Sequence, residues 1–295
     1  MRVFVTGASG FVGSAVVDEL IGAGHAVLGL ARSDGSAAAL ERAGADVLRG
    51  ELTDPDSLRR GAAGADGVIH AAFIHDFSKF LENCAIDRHA IEVMTDVLAG
   101  SDKPFIATSG IGSLSAPGRL VTEDDKPSGH MPRLSEQTAF AAISHGVRAM
   151  SMRLPPSVHG AGDHGFVPML INLAREKGIA AYVGDGSNRW PAVHRLDAAR
   201  LYRLALESGS SGTCLHPIGD EGIAIRDIAE VIGRQLGLPA KSITSEQAPG
   251  HFGWMAPFIQ FDCPAASEQT RRQFGWAPTQ PGLLAELDSK VYFPA

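Results

Sequence analysis

Cysteine is scarce in this chain of 295 residues: Cys84, Cys214 and Cys263 are far apart and in no C-x-x-C spacing. So odd and dispersed a set excludes a disulfide framework and offers no zinc site, and buried, inert thiols are expected, with no metal. Long apolar runs are also lacking. None approaches the roughly 18 to 20 residues that cross a bilayer. Met1-Arg2-Val3-Phe4-Val5 leads straight into a glycine turn rather than a signal-peptide core, so the expectation is a cytoplasmic protein with no membrane partner. Positive charge is in deficit, with 26 Lys and Arg against 33 Asp and Glu and a formal net charge of −7, which argues against a nucleic-acid surface. Tyrosine is rare: Tyr182, Tyr202 and Tyr292 are the three present.

What remains is 44% hydrophobic and 20% charged, an ordinary globular balance at a length that suits two domains or one large α/β unit. The first half alternates short β-branched runs with helical stretches, the pattern of βαβ units and hence of a parallel sheet between helices. Strands are expected at 2–6, 26–31, 45–48, 67–70, 105–108 and 150–154. Between the first two, Val12, Ala15, Val16, Leu20 and Ala23 share a helical face, with Gly22 and Gly24 punctuating its end. The segment Phe77 to Gly100 predicts a long helix, lying on the sheet or in a dimer interface, so a homodimer is an open expectation. From Pro155 the texture changes. Pro155, Pro156, Gly160, Gly162, Gly165 and Pro168 crowd together, as where a chain leaves one domain for another. Residues 1–158, with 190–218 returning, are assigned to a first domain; 159–189 and 219–295 form a smaller lobe. Helices are expected at 197–207 and 226–236. The stretch Ala248–Pro264, with Phe252, Trp254, Phe258 and Phe261, has neither helical nor strand period and reads as a lid or binding loop, or as ordinary packing.

The most informative motif is Thr6-Gly7-Ala8-Ser9-Gly10-Phe11-Val12-Gly13, set between a strand and an amphipathic helix. Gly7 permits the tight turn, Gly10 lets backbone approach a pyrophosphate, and Gly13 permits close packing of helix on strand while the helix N-terminus faces the phosphates. A dinucleotide cofactor is the reading of this loop in this context.

With that motif the chain resembles the extended short-chain dehydrogenase/reductase superfamily, which includes NAD(P)-dependent epimerases, dehydratases and ketone reductases. Its T-G-x-x-G-F-x-G is matched by Thr6 to Gly13. Glu51-Leu52-Thr53-Asp54, Val68-Ile69-His70-Ala71-Ala72, Arg153 to Gly160, Gly184-Asp185-Gly186 through Asp197, and Phe274-Gly275-Trp276-Ala277-Pro278 resemble later landmarks in order. The resemblance implies an α/β fold: a Rossmann-type doubly wound parallel sheet with a smaller C-terminal substrate lobe. It places the cofactor against Gly7, Ser9, Gly10, Phe11, Val12, Gly13, Arg32, Ser33, Glu51, Leu52, Ala71, Ala72, Phe73, Thr108, Gln137, Pro155 and Ser157. Strand two ends Leu30-Ala31-Arg32-Ser33, with no carboxylate for the ribose hydroxyls but a guanidinium and a hydroxyl suited to a 2′-phosphate. NADP(H) is therefore preferred. NAD(H) remains open, with Asp34 as the ribose contact.

The resemblance breaks at the proton relay. The superfamily's Tyr-x-x-x-Lys pair is missing, since all three tyrosines follow the helix that should carry it, and that helix has no lysine. In register Arg133 takes the tyrosine position and Gln137 the lysine position; a frame shifted by one puts Glu136 at the latter. On a helix from Pro132 to Val147, Arg133 and Gln137 would share one face. Ser109 is retained, but Gly110 stands where a substrate-binding hydroxyl is expected. Either another group gives the proton, or the reaction needs no strong acid, as in reduction of an iminium or activated double bond, or the chain binds nucleotide without turnover. Candidate donors are His75, His159 and His164, histidine titrating near neutrality; His194 reads as structural. Arg133 and Ser109 complete the candidate catalytic set.

Sugar-nucleotide members of the superfamily carry an arginine where this chain has Trp190, with Arg189 one step away. An aromatic platform suits a flat or apolar ligand, though Trp190 could equally pack between lobes. The sequence thus reads as an NADPH-dependent reductase or dehydrogenase of a small carbonyl, imine or activated alkene with a non-standard proton donor. The alternatives are a non-catalytic NAD(P) sensor and an NAD-dependent epimerase or dehydratase.

Overall fold

Short apolar strands punctuated by glycine and separated by helical stretches leave the chain one economical way to bury both faces of its strands. In the computed structural model, which describes residues 1–114, 118–127, 129 and 131–293, it takes that way. Strands β1 (Arg2–Thr6), β2 (Ala26–Ala31), β3 (Asp46–Arg49), β4 (Gly67–His70), β5 (Pro104–Gly110) and β6 (Arg148–Leu154) alternate with helices α1 (Phe11–Gly22), α2 (Asp34–Arg42), α3 (Pro55–Ala63), α4 (Phe80–Leu98) and α5 (Ser135–Ala141). Val3, Phe4 and Val5 are all buried, the continuous apolar run of a strand covered on both sides. The chain continues through β7 (Ser157–His159), α6 (Phe166–Lys177), β8 (Ala180–Val183), β9 (Arg189–His194), α7 (Arg195–Ser208), β10 (Cys214–Leu215), β11 (Asp220–Ala224), α8 (Ile225–Leu236) and β12 (Ala240–Ile243). Short helices α9 (Ala248–Phe252), α10 (Ala256–Ile259), α11 (Glu268–Phe274) and α12 (Leu283–Leu287) follow.

The main sheet is parallel and seven-stranded, in the order β10-β6-β5-β4-β1-β2-β3. The strand order reverses between β1 and β4, so a crevice opens beyond their C-terminal ends, where Gly7 and Ala71 begin their loops. A three-stranded sheet, β11-β9-β7, and a pair, β12-β8, build the smaller lobe.

Four sequence expectations change here. Strands β7 and β9 pair with each other rather than with the main sheet, so residues 157–158 and 190–194 belong to the lobe's sheet; α7 and β10 do return to the first domain. Phe274 and Trp276, assigned to the lobe, pack into the core formed with α1 and α7, where the Trp276 indole donates to the Asp197 carbonyl at 2.9 Å. The aromatic stretch 248–264 is helical over 248–259, in α9, a 3-10 turn Gly253–Met255 and α10, each too short to show a period, with Pro249 and Pro257 in the first turns of α9 and α10. Helix α5 begins at Ser135, not Pro132, and gives way to a 3-10 turn at Ala142–His145. Helix α4 lies on the molecule: Ala90, Ile91 and Met94 join the core that includes Phe4, Leu58 and Phe105.

Candidate active site

The loop from β1 to α1 is built by steric exclusion. A Cβ on Gly7, whose φ is +68°, would stand 2.8 Å from Ala72 backbone, and one on Gly13 would stand 2.0 Å from the Gly7 carbonyl oxygen. Helix α1 can therefore start flush against the strand ends. Gly10, its N-cap, supplies no side-chain cap, so the first N–H groups of α1 are left to the crevice. That bare helix start suits a pyrophosphate.

The crevice is a cleft of about 1420 Å³ that runs from this loop to the smaller lobe. Ser9, Gly10, Phe11, Val12 and Gly13 form its floor, and Arg32, Ser36, Glu51 and Leu52 line one end. Ala71, Ala72, Phe73, Thr108, Ser109, Gln137 and Pro155 line the middle. Two residues assigned to the cofactor lie elsewhere. The Ser33 hydroxyl accepts from Ser36 N–H at 3.2 Å and caps α2, so it is Ser36 that faces the cleft beside Arg32. Ser157 is buried in β7, its hydroxyl without a partner, and does not line the cleft. Asp34, the alternative ribose contact, is ion-paired with Arg49.

At the middle of the cleft Arg133 precedes α5, so it and Gln137 reach the cleft from separate elements rather than as neighbours on one helical face. Its guanidinium donates to the Thr108 carbonyl at 2.8 Å and the Ser135 hydroxyl at 3.0 Å, and sits 4.1 Å over the Phe73 ring. Behind it runs a buried polar chain. Ser135 donates to Asp87 at 2.6 Å, Asp87 meets His70 Nε2 at 3.2 Å, and His70 Nδ1 meets the Thr6 hydroxyl at 2.8 Å. Burial opposes ionisation of Asp87, but the hydrogen bond from His70 and the charge of Arg133 outweigh it and hold its pKa below the usual carboxylate range. Arg133 is thereby a positioned cation. Glu136, the shifted-frame candidate, is held by Arg153 through two contacts at 2.6 and 2.7 Å.

Of the histidines, His75 and His164 line the cleft and His159 does not. His159 is buried in β7 with its Nδ1 on Glu286 of α12, which also meets His194 at 3.3 Å, while His159 Nε2 is buried with no hydrogen-bond partner. His194 caps α7 by accepting from Leu196 N–H, a structural role. Burial, then the nearby Arg133 charge, pushes the His75 pKa down, so His75 is neutral at pH 7. Tyr202 is fully buried with its hydroxyl 2.6 Å from that of Thr108. Tyr292 folds back to donate to Asp163 at 2.6 Å, and Asp163 lines the cleft.

The lobe side of the cleft is aromatic. Phe77 stacks on Trp254 at 4.5 Å and 16°, and Phe166 and Phe258 pack edgewise or tilted around them. Trp190 reaches the cleft but is 1% exposed and packs on Phe166, so packing between elements is its main role. Arg189 is taken up by Asp262, with contacts at 3.1 Å. Asp87, Ser36, Phe80 and Asp163 were missed in the sequence. Asp87 had left a signal: it interrupts the apolar stripe Cys84, Ala90, Ile91, Met94 of α4, where a charge requires a buried partner. Among the described residues, no group of three or more His, Cys, Asp or Glu is arranged to hold a metal, and no helix is long and apolar enough to cross a membrane.

Comparison with known proteins agrees with this geometry. Residues 7–143 match a family model described as NAD(P)H-binding. An uncharacterized protein of Schizosaccharomyces pombe is 50% identical over 99% of this chain and 100% of its own length. The 2-alkyl-3-oxoalkanoate reductase of Stenotrophomonas maltophilia is 28% identical over 81% of this chain and 77% of its own. Among solved structures, a dTDP-glucose 4,6-dehydratase from Streptomyces venezuelae with NAD bound superposes with a TM-score of 0.79 at 19% identity, covering 99% of this chain and 96% of that one, a likeness of fold.

Proposed function

Because the chain belongs to the extended short-chain dehydrogenase/reductase superfamily of NAD(P)-binding proteins, we propose that it is an NADP(H)-dependent reductase of a small apolar or aromatic ketone, imine or activated alkene. One observation carries the reading: the bare helix start at Gly10 and an aromatic collar of Phe77, Phe166, Trp254 and Phe258 open into the same cleft. Arg32 and Ser36 at the far end suit a 2′-phosphate, as does the engagement of Asp34 by Arg49. When bound, the cofactor supplies the reducing electrons. This chain's own contribution is to orient the substrate and steady its oxygen. Arg133, fixed by Asp87, Ser135 and the Thr108 carbonyl, offers a guanidinium cation to an oxygen gaining negative charge. The Ser109 hydroxyl lies on the same wall.

A relative named for reducing a 2-alkyl-3-oxoalkanoate supports an oxo group flanked by apolar substituents as the substrate class. The site is a poor match for a sugar diphosphate, since Arg189 is committed to Asp262 and Trp190 is buried. The test is a calorimetric titration with NADPH and NADH, followed by NADPH oxidation assays with 2-alkyl-3-oxo acids, aryl ketones, quinones and cyclic imines. Tighter NADPH binding with turnover of at least one class is expected. Tight binding with no turnover on any class would overturn the enzyme reading in favour of a nucleotide sensor.

A further inference from the structure

The Arg133 guanidinium is held on two of its nitrogens and left open on the third. Its Nε donates to the Ser135 hydroxyl at 3.0 Å and its Nη2 to the Thr108 carbonyl at 2.8 Å, while both N–H groups of Nη1 are without a hydrogen-bond partner among the described residues. Asp87, its ion-pair partner, stands 3.9 Å away with both oxygens occupied, Oδ1 by His70 and Oδ2 by Ser135. Yet the Arg133 side chain is only 21% exposed. A cation so far withdrawn from water, with donors unfilled and a place on the cleft wall, is suited to receive an anion. Two ionisable groups beside it leave that positive charge uncancelled: Glu136 is closed by Arg153 through both oxygens, and His75 is kept neutral by burial and by the Arg133 charge.

An apolar track leads away from the cation. The guanidinium lies 4.1 Å over the Phe73 ring, Phe73 meets Phe80 at 6.1 Å, Phe80 stacks on Phe77 at 5.9 Å and Phe77 on Trp254 at 4.5 Å, all on the cleft wall. We propose that Arg133 anchors a carboxylate of the substrate, which is therefore an oxo acid whose apolar or aromatic tail lies along Phe73, Phe80, Phe77 and Trp254. This rests on the reductase reading above and narrows its substrate class. In a 2-oxo or 3-oxo acid the ketone oxygen lies beside a carboxylate oxygen on one edge of the molecule, and the planar fork of a guanidinium donates to both. Holding the acid and steadying the oxygen that gains charge are then one contact. A neutral ketone of the same shape leaves the Nη1 donors to water.

The experiment has two arms. Isothermal titration of the NADP+-loaded protein compares 4-phenylbutanoate with 4-phenylbutanamide, neither of which has an oxo group to reduce. The carboxylate should bind about tenfold or more tighter than the amide in the parent, as a hydrogen bond to a charged group implies, and no tighter in Arg133→Gln. The NADP+ dissociation constant should be the same in both proteins, which also reports a retained fold. The second arm is kcat/KM with NADPH for 2-oxo-4-phenylbutanoate and for its ethyl ester. Arg133→Gln should lower both, through the shared ketone oxygen, but the acid about tenfold more, and comparing the two ratios cancels the intrinsic reactivity of the ketones. Arg133→Lys, a cation without the fork, should restore part of the acid's advantage. Equal affinity for carboxylate and amide in the parent, or an acid-to-ester ratio unmoved by Arg133→Gln, would overturn the anchor and leave the reductase reading standing. So would a loss of NADP+ affinity in Arg133→Gln with carboxylate binding unchanged, which assigns Arg133 to the cofactor. A carboxylate advantage that depends on Arg133, with neither ketone reduced, would support the anchor and overturn the reductase reading.

Discussion

At the scale of single residues, the proposed preference for NADP(H) rests on Arg32. It lines the cleft with Ser36 and Glu51, and Asp34, the alternative ribose contact, is held by Arg49. A hydrogen bond to a charged group contributes about 1.5 to 3 kcal/mol, so Arg32→Ala should weaken NADPH roughly tenfold to a hundredfold and leave NADH nearly unchanged, as isothermal titration would read. The place of Arg32 on the cleft wall was legible because strand two ends beside it. Ser33 was misassigned because a serine one step before a helix serves equally as a cap, and nothing local decides between the two uses. His159 was misassigned for another reason: its partner, Glu286, lies 127 residues away, and no local pattern announces it.

That distant partner gives a signed pH effect. Burial raises the Glu286 pKa, but the hydrogen bonds from His159 and His194 prevail, taking it from 4.5 down to about 2. A carboxylate whose folded pKa is depressed contributes stability that is present above its unfolded pKa and is lost as pH falls through the folded one. The window is therefore pH 4.5 to 2. Melting temperatures measured across it should fall more steeply for the parent than for Glu286→Gln, and parallel curves would refute the assignment.

At the scale of elements, strands β1, β2 and β4 and helix α8 were readable almost to the residue, because continuous apolar runs and a regular apolar stripe report burial directly. Helices α9 and α10 were not. A helix of four or five residues is held by tertiary contacts, and its sequence carries no period to read. Their placement nonetheless has a use, since the turn between them sets Trp254 against Phe77 across the mouth of the cleft. A double-mutant cycle of Phe77→Ala and Trp254→Ala should return a coupling of about 0.5 to 1.5 kcal/mol in stability. Trp254→Ala should also raise KM for an apolar substrate several-fold while leaving the NADPH dissociation constant unmoved. Equal losses in both constants would place Trp254 on the cofactor instead.

At the scale of the whole molecule, the parallel sheet between helices was legible in the strand–helix alternation, and its doubly wound order was implied by the family resemblance. The assignment of β7 and β9 was not, because which sheet a strand joins is decided by partners remote in sequence. Strand β9 has a property that no domain boundary drawn along the chain expresses. Trp190 and Ala192 sit in the core of the smaller lobe, and Val193, one residue on, sits in the core beneath α1 and α7. Trp276 ties the later chain into that second core again. The two lobes therefore share a girder and cannot melt one after the other without tearing it. Scanning calorimetry should show a single endotherm whose calorimetric and van't Hoff enthalpies agree, and Val193→Ala should lower that one transition rather than split it. Evolutionary tinkering with such a molecule is correspondingly constrained: neither lobe can be traded as a module.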